Sequence, residues 1–352
     1  MKIIINVCIL ICMMSLAGCG EGENVPKMSG VVAGTILTYN GSSWGSPASG
    51  TSNQLNNVTF GNGLFVAVGS SGTILTSSDG DTWTSQNSGT SLSLYGVTFG
   101  KDINGNPLFV AVGDLGIILN SSNGSTWTGQ ASANLNSLPM NGVTYSDSLK
   151  EFVAVGYSGI MYSSDGVNWN SIGTAPSGIT GPTVDLYSVT FGKDANGNPL
   201  FVTVGTYNSS STNQPTSYNG IIGTSPDGIN WTIVQYPPNY LSGVTYNSVN
   251  QFVAVGREGI ILTSPDGSNW TSQAAAPIAN STLTPYLINV TYTGTQYAAV
   301  GNYVGTTPST GFILTSPDGI NWSMPSTGST SDLYGVCFGD GEIVAVGGQL
   351  RP

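Results

Sequence analysis

The sequence of 352 residues contains no histidine. A Ser-His-Asp triad and every metal site that uses an imidazole ligand are therefore excluded. Charged residues make up only 7% of the chain, and acidic side chains outnumber basic ones by 18 to 7, which gives a formal net charge of −11. Because an acidic surface repels phosphate backbones, we expect no nucleic-acid partner.

Long apolar segments are also missing, apart from a short one at the N-terminus. Lys2 precedes an apolar run over 3–14 that has secretory length and is too short to span a bilayer. Residues 16–19 then read Leu-Ala-Gly-Cys. This segment resembles the lipobox of bacterial lipoprotein precursors, in which the cysteine is lipidated and becomes the first mature residue. The alternative is an ordinary signal peptide that contains a cysteine by chance.

The lipobox resemblance implies a signal peptide over 1–18, a lipid anchor on Cys19 and a flexible tether over 19–30. We therefore expect export and attachment to a bacterial membrane, because buried acyl chains hold an anchor stably. Gly20 stands where an Asp would favour inner-membrane retention, so the outer membrane is favoured. Both the periplasmic and the surface side stay open.

Cysteine is scarce, with four in the chain. Cys8 and Cys12 lie within the predicted signal, so the mature domain keeps Cys337 besides the proposed anchor and has no internal disulfide. Cys337 stands where the other copies of the repeat have Thr. We predict that it is a small buried side chain.

Glycine is abundant, with 49 residues, and the sequence repeats itself. The word Ser-Pro-Asp-Gly-Ile-Asn-Trp occurs at 225–231 and again at 316–322. All seven tryptophans end such a word or a variant of it: Trp44, Trp83, Trp127, Trp169, Trp231, Trp270 and Trp322. Their shorter intervals are typical of a four-stranded propeller blade, and the longer ones indicate loop insertions.

Each repeat contains four phrases. The first is Leu-Tyr-Gly-Val-Thr-Phe-Gly at 94–100, the second Phe-Val-Ala-Val-Gly at 65–69 and the third Gly-Ile-Ile-Leu-Thr-Ser at 259–264. The fourth is the word that ends in Trp, followed by a short strand. The second and third phrases are β-branched or aromatic runs bounded by glycine, which is typical of strands buried on both faces. The inner strands of a propeller are covered in this way by neighbouring blades.

The fourth phrase predicts a turn with an anchor, and we call it the repeated turn. An Asp or Asn oxygen accepts hydrogen bonds from backbone N–H groups of its own turn, the next Gly adopts a conformation that a Cβ disfavours, and the Trp is buried between blades. The Asp or Asn positions are Asn40, Asp79, Asn123, Asp165, Asp227, Asp266 and Asp318. We interpret them as structural, because catalytic or metal-binding carboxylates must lie together and each of these lies in a different repeat.

The repeated turn resembles the Asp-box, or bacterial neuraminidase repeat, of sialidase-type propellers and photosystem II assembly factor-like proteins. The resemblance covers residues 31–352, although the usual box has one more residue between Asp and Trp. It implies a propeller fold and no particular activity. Sialidases hold the substrate carboxylate with three arginines, whereas this chain has Arg257 and Arg351, so sialidase activity is not expected.

The repeats begin with the third and fourth phrases at 34–44 and end with the first and second phrases at 333–348. These two half-repeats predict one seventh blade built from both ends, which closes the ring and removes exposed strand edges. The predicted fold is all-β: a single seven-bladed propeller of four-stranded blades over 31–352.

Because successive strands alternate in direction, the connections fall on two faces. One face carries the repeated turns and the insertions 101–107 and 193–199, which resemble the start of a calcium loop. Too few carboxylates follow, so plain hairpins without a metal are preferred. The other face carries variable loops, including 206–220 and 302–311.

Variable polar loops with tyrosines on a rigid ring are typical of recognition surfaces. The candidate binding residues on this second face are Tyr95, Asp114, Tyr157, Tyr187, Tyr207, Tyr218, Arg257, Glu258, Tyr303 and Tyr334. The alternative is that these are ordinary solvated loops whose tyrosines pack against their neighbours.

The leading hypothesis is a monomeric, lipid-anchored scaffold of the bacterial cell envelope that binds a protein, without enzymatic activity or a cofactor. The loops differ from blade to blade, whereas a carbohydrate-binding propeller, the alternative, should repeat one aromatic-and-amide pocket. A glycoside hydrolase needs only two carboxylates. Asp114 and Glu258, in the second and fifth repeats, are the candidates for it.

Overall fold

The computed structural model describes residues 34–130, 138–157, 159–172, 183–208, 219–247, 249–274, 284–304, 310–325 and 331–348. Within these ranges the chain forms 27 β-strands and two single 3₁₀ turns, Ser70–Gly72 and Asp114–Gly116. No helix in this part of the protein has the length and apolar character needed to cross a bilayer. The predicted all-β class is confirmed.

The strands fall into four sets according to the phrase that forms them. The first phrase forms β3 (Leu55–Gly61), β7 (Leu94–Lys101), β11 (Met140–Ser146), β15 (Thr183–Lys193), β19 (Leu241–Asn247), β23 (Thr284–Tyr292) and β26 (Leu333–Gly339). The second phrase forms β4 (Leu64–Gly69), β8 (Pro107–Gly113), β12 (Glu151–Gly156), β16 (Pro199–Asn208), β20 (Gln251–Gly256), β24 (Tyr297–Val304) and β27 (Glu342–Gly347).

The other two sets lie farther from the centre of the ring. The third phrase forms β1 (Thr35–Tyr39), β5 (Ile74–Ser77), β9 (Ile118–Ser121), β13 (Gly159–Ser163), β17 (Asn219–Ser225), β21 (Ile261–Ser264) and β25 (Gly311–Ser316). The outermost strands are β2 (Trp44–Gly45), β6 (Thr84–Gln86), β10 (Thr128–Gln130), β14 (Asn170–Ser171), β18 (Thr232–Gln235) and β22 (Thr271–Ser272).

Consecutive phrases pair antiparallel and form seven sheets, which we number as blades in chain order. Blades 1 to 6 start at β3, β7, β11, β15, β19 and β23, and blade 7 combines β26 and β27 with β1 and β2. The first-phrase strands contact one another from blade to blade, and β26 contacts β3. They therefore form a closed innermost ring, and the predicted seven-bladed propeller is confirmed.

Blade 7 joins two distant parts of the chain. β1 pairs with β27, where Ile36 lies opposite Val346, and β27 pairs with β26, where Ala345 lies opposite Val336. The predicted closure by strands from both ends is confirmed. It leaves no unpaired inner strand at which another chain can add a strand.

The hydrophobic core consists of clusters that each lie between two consecutive blades. Between blades 1 and 2, for example, Val66 and Ile74 of blade 1 meet Phe109 and Trp127 of blade 2. The clusters at four other junctions have the same composition of aliphatic, Phe or Tyr and Trp side chains, whereas the cluster between blades 6 and 7 is aliphatic with half-buried Tyr39 and Trp44. Burying one such large side chain contributes ~1.5–3 kcal/mol, so the ring is stabilised at every junction.

Cys337 is the one cysteine among the described residues, and it is buried in the cluster between blades 7 and 1. Equivalent positions hold Thr, for example Thr59 and Thr98. Burial raises the pKa of the Cys337 thiol well above its ordinary value. The thiol therefore stays protonated and packs as a small apolar group.

Blade 6 departs from the four-stranded plan. Of the described residues after its repeated turn, 323–325, only Ser323 pairs with β25, through a bridge to Thr315. Pro325 occupies the position from which Gln273 of blade 5 donates its backbone N–H to Ile261. Because proline has no N–H, a regular outer strand cannot continue there.

Strand direction separates two faces. We call hairpin face the side with the connections from first to second and from third to fourth strands, which include the repeated turns. We call linker face the side with the turns from second to third strands and the links between blades. On the linker face, for example, the Asp114 backbone N–H donates to the Ser93 carbonyl at 2.9 Å.

Candidate binding site on the linker face

The innermost strands start on the linker face, and each start is irregular. In blade 5 the pairing register shifts between Leu241 and Gly243, and equivalent shifts occur at Leu186 of blade 4 and Leu287 of blade 6. Such bulges bend a strand and redirect its side chains. The side chains beside these leucines therefore do not follow the regular alternation between the two faces of the strand.

Three tyrosines beside these leucines form a row across blades 4, 5 and 6. The ring centroids of Tyr187 and Tyr240 lie 6.0 Å apart in an edge-to-face arrangement, and those of Tyr240 and Tyr286 lie 6.1 Å apart. Tyr240 is buried, whereas the other two are half-buried. Aromatic pairs at this separation contribute about 0.5–1.5 kcal/mol beyond burial, so the row is held in a fixed geometry.

Arg257 lies over two of these rings. Its Cζ is 5.9 Å from the Tyr240 centroid and 5.6 Å from the Tyr286 centroid, within the range of cation–π attraction. Its Nε lies 3.5 Å from Oε1 of Glu258, whose Oε2 accepts a hydrogen bond from Asn239 at 3.1 Å. The arginine side chain is 37% exposed, so it is held in place and still reaches solvent. We call Tyr187, Tyr240, Tyr286 and Arg257 the aromatic arc.

A buried carboxyl lies next to the arc. Asp185 accepts a hydrogen bond from Nδ2 of Asn141 at 2.8 Å, and the same Nδ2 donates to the Leu186 carbonyl at 2.9 Å. Burial raises the pKa of Asp185 to about 7, although hydrogen bonds from Asn141 and Tyr187 act in the opposite direction. Its protonation therefore changes near neutral pH.

The other predicted residues of this face hold local contacts of their own. The Tyr95 hydroxyl donates to Oδ1 of Asp114 at 2.8 Å in blade 2. The Tyr334 hydroxyl donates to Oδ2 of Asp332 at 3.1 Å in blade 7. Tyr157 forms a backbone bridge with Asp185. The first two contacts lie in blades 2 and 7, outside the arc, and the third joins blade 3 to Asp185 beside the arc.

Two further predicted tyrosines pack against rings of their own blades. The Tyr207 ring packs against Tyr236 at 5.4 Å, and the Tyr303 ring packs against Phe312 at 4.8 Å, each within its own blade. Tyr218 lies outside the described residues, as does Cys19. The loops 206–220 and 302–311 are likewise described only in part.

The two carboxylates considered for a glycoside hydrolase share no contact in the structure. Asp114 accepts from Tyr95, and Glu258 contacts Arg257 and Asn239. They lie in blades 2 and 5, and each is held by partners on its own part of the ring. Nothing in this arrangement draws the two together as an acid and base pair.

On the hairpin face, six of the seven repeated turns share one geometry, and the turn of Asn40 departs from it. Oδ1 of Asp79 accepts the backbone N–H groups of Asp81 at 3.0 Å and Thr82 at 2.7 Å and the Ser77 hydroxyl at 2.9 Å. The Thr82 bond, followed by those of Ser77 and Asp81, lowers the pKa of Asp79 to about 2. In the same turn Nε1 of Trp83 donates to the Gly80 carbonyl. The carboxylate is thus occupied by its own turn.

Burial of the tryptophans is less uniform than the repeat predicts. Trp127, Trp169, Trp231, Trp270 and Trp322 are buried, whereas Trp44 and Trp83 are half-buried. Trp44 stacks on Tyr39 at 5.0 Å in blade 7.

The two insertions considered for calcium are closed turns. Oδ1 of Asp102 accepts the backbone N–H groups of Asn104 at 2.9 Å and Asn106 at 2.8 Å, and Asp194 has the same bonds to Asn196 and Asn198. The described residues contain no group of three or more potential metal ligands. The carboxylates therefore serve as turn acceptors.

Sequence reasoning missed half of the arc. It selected Tyr187 and Arg257 but not Tyr240, Tyr286 or Asp185. One position in the repeat could have identified the missed residues, because it changes from blade to blade. It immediately precedes the Leu or Met of each first phrase and holds Gln54, Ser93, Pro139, Asp185, Tyr240, Tyr286 and Asp332. A position that varies between repeats while its neighbours stay constant indicates residues that are not required by the fold.

No family model matches the sequence, and no curated protein matches it. Solved structures do match the fold. The structure of YCF48 bound to D1 peptide has a TM-score of 0.57 at 15% sequence identity, and the alignment covers 85% of this chain and 94% of that chain.

Two further structures of different function share the architecture. Virginiamycin B lyase from Staphylococcus aureus has a TM-score of 0.61 at 12% identity, covering 89% of this chain and 98% of that chain. The WD40 β-propeller domain of Doa1 has a TM-score of 0.55 at 11% identity, covering 85% and 94%. At these identities the likenesses show the propeller fold, and the Asp-box and lipobox assignments stay predictions.

Proposed function

We propose that this protein is a non-enzymatic scaffold that binds a protein partner through the aromatic arc. The observation that carries the proposal is the asymmetry of the linker face. The tyrosine row and the one arginine among the described residues gather on blades 4 to 6, whereas the positions of Tyr240 and Tyr286 hold Gln54 in blade 1 and Ser93 in blade 2. A single patch of this kind suits one protein surface.

The chemistry of the arc is that of an interface centre. Tyrosine and arginine are enriched among the residues that dominate interface energetics. Tyrosine offers a large contact area at a low entropic cost, and arginine offers a planar fork of hydrogen-bond donors. The Arg257 guanidinium is already oriented by two rings and by Glu258. A partner carboxylate or carbonyl oxygen that meets it therefore loses little free energy in ordering the side chain.

The structural comparisons support this reading at the level of fold. One similar propeller was solved with a bound peptide and another is a WD40 domain. A lyase with the same architecture shows that the fold alone does not decide between binding and catalysis. The choice of a binding function therefore rests on the arc and on the separately engaged Asp114 and Glu258.

We also propose that the mature protein is exported and anchored through Cys19 to a bacterial membrane, with the outer membrane favoured. The support is the sequence of residues 1–19, a charged start, an apolar run and a lipobox-like end. Each buried CH₂ of an acyl chain contributes ~0.8 kcal/mol, so several chains hold the protein stably. Residues 19–30 then act as the tether of the ring.

The partner proposal is tested by affinity capture from cell-envelope extracts of the host bacterium. The variant R257S/Y286Q carries at both sites the residues found at the equivalent positions of blade 1, Ser70 and Gln54. We expect a specific partner to be depleted roughly tenfold or more, as for loss of interface centres. L115S is the matched control, because Leu115 is 56% exposed on the same face outside the arc.

Equal recovery of all proteins with R257S/Y286Q and with the unchanged chain contradicts the proposal. Binding to a glycan array tests the carbohydrate-binding alternative. If a defined glycan binds and the double substitution abolishes this binding, the carbohydrate alternative replaces the protein partner.

The anchor is tested separately by fractionation of cells that produce the C19S variant. We expect the variant to leave the membrane fraction and to appear in the soluble periplasmic fraction. Unchanged membrane association of C19S contradicts the anchor, and density separation of the two membranes tests the preference for the outer one.

A further inference from the structure

The hairpin face carries exposed apolar side chains that neither the fold nor the proposed function uses. In three repeated turns the residue after Asp-Gly is apolar: Val167 in blade 3, Ile229 in blade 4 and Ile320 in blade 6, with exposures of 41%, 36% and 45%. The equivalent residues of the other turns are polar: Ser42, Asp81, Ser125 and Ser268. The turn itself therefore does not require an apolar residue here.

Each of these turns lies next to the hairpin that connects the first and second strands of the preceding blade, and this hairpin also carries an exposed apolar residue. Between blades 5 and 6, Nε2 of Gln251 donates to the Asp318 carbonyl at 3.2 Å. The hairpin that ends at Gln251 presents Val249, which is 71% exposed. Its shape is fixed because Oδ1 of Asn247 accepts the N–H groups of Val249 and Gln251. Val249 and Ile320 thus belong to two joined turns.

The same juxtaposition occurs at two neighbouring junctions. Gly228, next to Ile229, packs against Glu151 and Val153 of blade 3, which directly follow the hairpin that presents the exposed Leu149. At the junction of blades 2 and 3, Gly166 packs against Leu108, which follows the hairpin of Ile103. Ile103 is 71% exposed. Three junctions therefore each present an apolar pair to solvent.

A fixed carboxylate lies beside each apolar turn residue. The backbone N–H groups of Val167, Ile229 and Ile320 donate to the aspartates two positions earlier at 2.8, 3.0 and 2.9 Å. Partial burial acts to raise the pKa of Asp165, but the hydrogen bonds of its turn outweigh burial and lower the pKa to about 2. The pKa values of the other two aspartates are lowered as well. All three are charged at neutral pH.

Positive charge is scarce on this face. The basic residues that the structure describes here are Lys101, Lys150 and Lys193, and the first two both pair with Asp147 at 3.1 Å. Lys101 and Lys150 lie in the hairpins of Ile103 and Leu149, yet acidic side chains outnumber basic ones at each junction, for example Asp147, Glu151 and Asp227 against Lys150 between blades 3 and 4. A surface of this composition attracts cationic partners and repels nucleic acids and anionic lipid headgroups.

We infer that the three junctions form a docking surface for a cationic amphipathic segment of a partner protein. Lysine and arginine have an apolar stem and a charged end. The stem packs on Val167, Ile229 or Ile320, and the charged end meets the aspartate beside it. The surface is distinct from the aromatic arc, which lies on the opposite face.

The test measures binding of two synthetic peptides of equal length and charge by fluorescence anisotropy at physiological ionic strength. One peptide mixes lysine with leucine, and the other replaces each leucine with serine. The triple variant V167S/I229S/I320S carries the serine that other turns have at this position, so its turns keep their hydrogen bonds. We expect it to bind the leucine-containing peptide roughly tenfold or more weakly, because apolar burial is lost.

Two single variants sharpen the result. S268I adds an apolar residue to the turn of blade 5, and we expect a few-fold tighter binding of the leucine-containing peptide. L115S removes an exposed apolar residue from the linker face and should change nothing. Equal affinity of the triple variant, equal weakening by L115S, or equal binding of the serine-containing peptide overturns the proposal, because the attraction is then one of charge alone.

Discussion

The two faces of the ring differ in the polar contact that is most regular on each. On the hairpin face a carboxylate serves its own turn, as Asp165 does when it accepts the N–H groups of Val167 and Asn168. On the linker face side chains reach from one blade to the next, as Asn141 of blade 3 does when it donates to Asp185 of blade 4. The first pattern recurs in every blade, with an amide oxygen in place of the carboxylate at Asn40 and Asn123. The second occurs at some junctions, since Asn56 donates to the Leu94 carbonyl as Asn141 does to that of Leu186.

This difference separates residues that make the fold from residues available for recognition. A feature repeated in every blade stabilises every blade in the same manner, so by itself it does not single out one part of the ring as a binding site. Features that depart from the repeat, such as the Tyr240 ring or the exposed Ile320, are not needed by the turn or strand that bears them. The candidate sites on both faces consist of such departures.

The largest expected effect is on the repeated side. Trp169→Ala removes a 3% exposed ring from the cluster between blades 2 and 3. We expect the free energy of unfolding to fall by about 3–5 kcal/mol, measured by denaturant titration. Trp44→Ala, at a half-buried copy, should cost clearly less. Equal losses would show that burial does not set the contribution of these rings.

On the linker face, Asp185→Asn should change the pH dependence of stability. The carboxyl ionises at about 4 in the unfolded chain and at about 7 in the folded one, so between these values only the folded state keeps the proton. The free energy of unfolding therefore falls as the pH rises through this window. In thermal unfolding at about pH 8, the Asp185→Asn variant should be more stable than the wild type by on the order of 2–4 kcal/mol. Its free energy of unfolding should not fall as the pH rises through this window.

The contrary outcome is equally measurable. If wild type and Asp185→Asn show parallel stability curves from about pH 4 to about pH 8, the carboxyl is ionised without penalty. The buried position next to the arc is then open to water.

A smaller effect is expected for Asp165→Ala, which removes the acceptor of one repeated turn. We expect a loss of about 1 kcal/mol, because two backbone N–H groups lose their partner. Asp165→Asn should cost less, since Asn123 accepts the equivalent N–H groups as a neutral amide. The stabilisation by the charge is present above about pH 4 and is lost as the pH falls through the folded pKa of about 2.

The smallest effect on stability is expected for Arg257→Ser, within about 1 kcal/mol, because one partly exposed cation–π and ion contact is lost. The same substitution should remove partner binding. Calorimetric unfolding measures the first and affinity capture the second. A large loss of stability would move Arg257 from the recognition group to the structural group.

Most of the fold was predictable because its physical causes are local. Gly-bounded β-branched runs become the strands β4 and β20, and the half-repeats at 34–44 and 333–348 become blade 7. That the described part of blade 6 has three strands was not predicted, although Pro325 is visible in the sequence. The effect of this proline depends on the backbone N–H that Gln273 donates at the equivalent position of blade 5, and this hydrogen bond is seen only in the structure.

The candidate site was predictable only in part. Tyr187 and Arg257 were selected because they follow recognisable phrases. The contact of Arg257 with Tyr240 and Tyr286 joins a turn to the starts of two innermost strands. The spacing of these residues along the chain does not indicate that they are close in space. The raised pKa of Asp185 likewise depends on burial between blades. Such properties arise only when the ring assembles.

The pairing of Ile36 with Val346 has a consequence for how the protein can be handled. Before β27 arrives, β1 presents an open apolar edge, and all seven second-phrase strands of another copy resemble its proper partner. Exchange of strands between molecules is therefore the main competitor of correct assembly. Refolding from denaturant should give monomers at high dilution and linked multimers as the concentration rises.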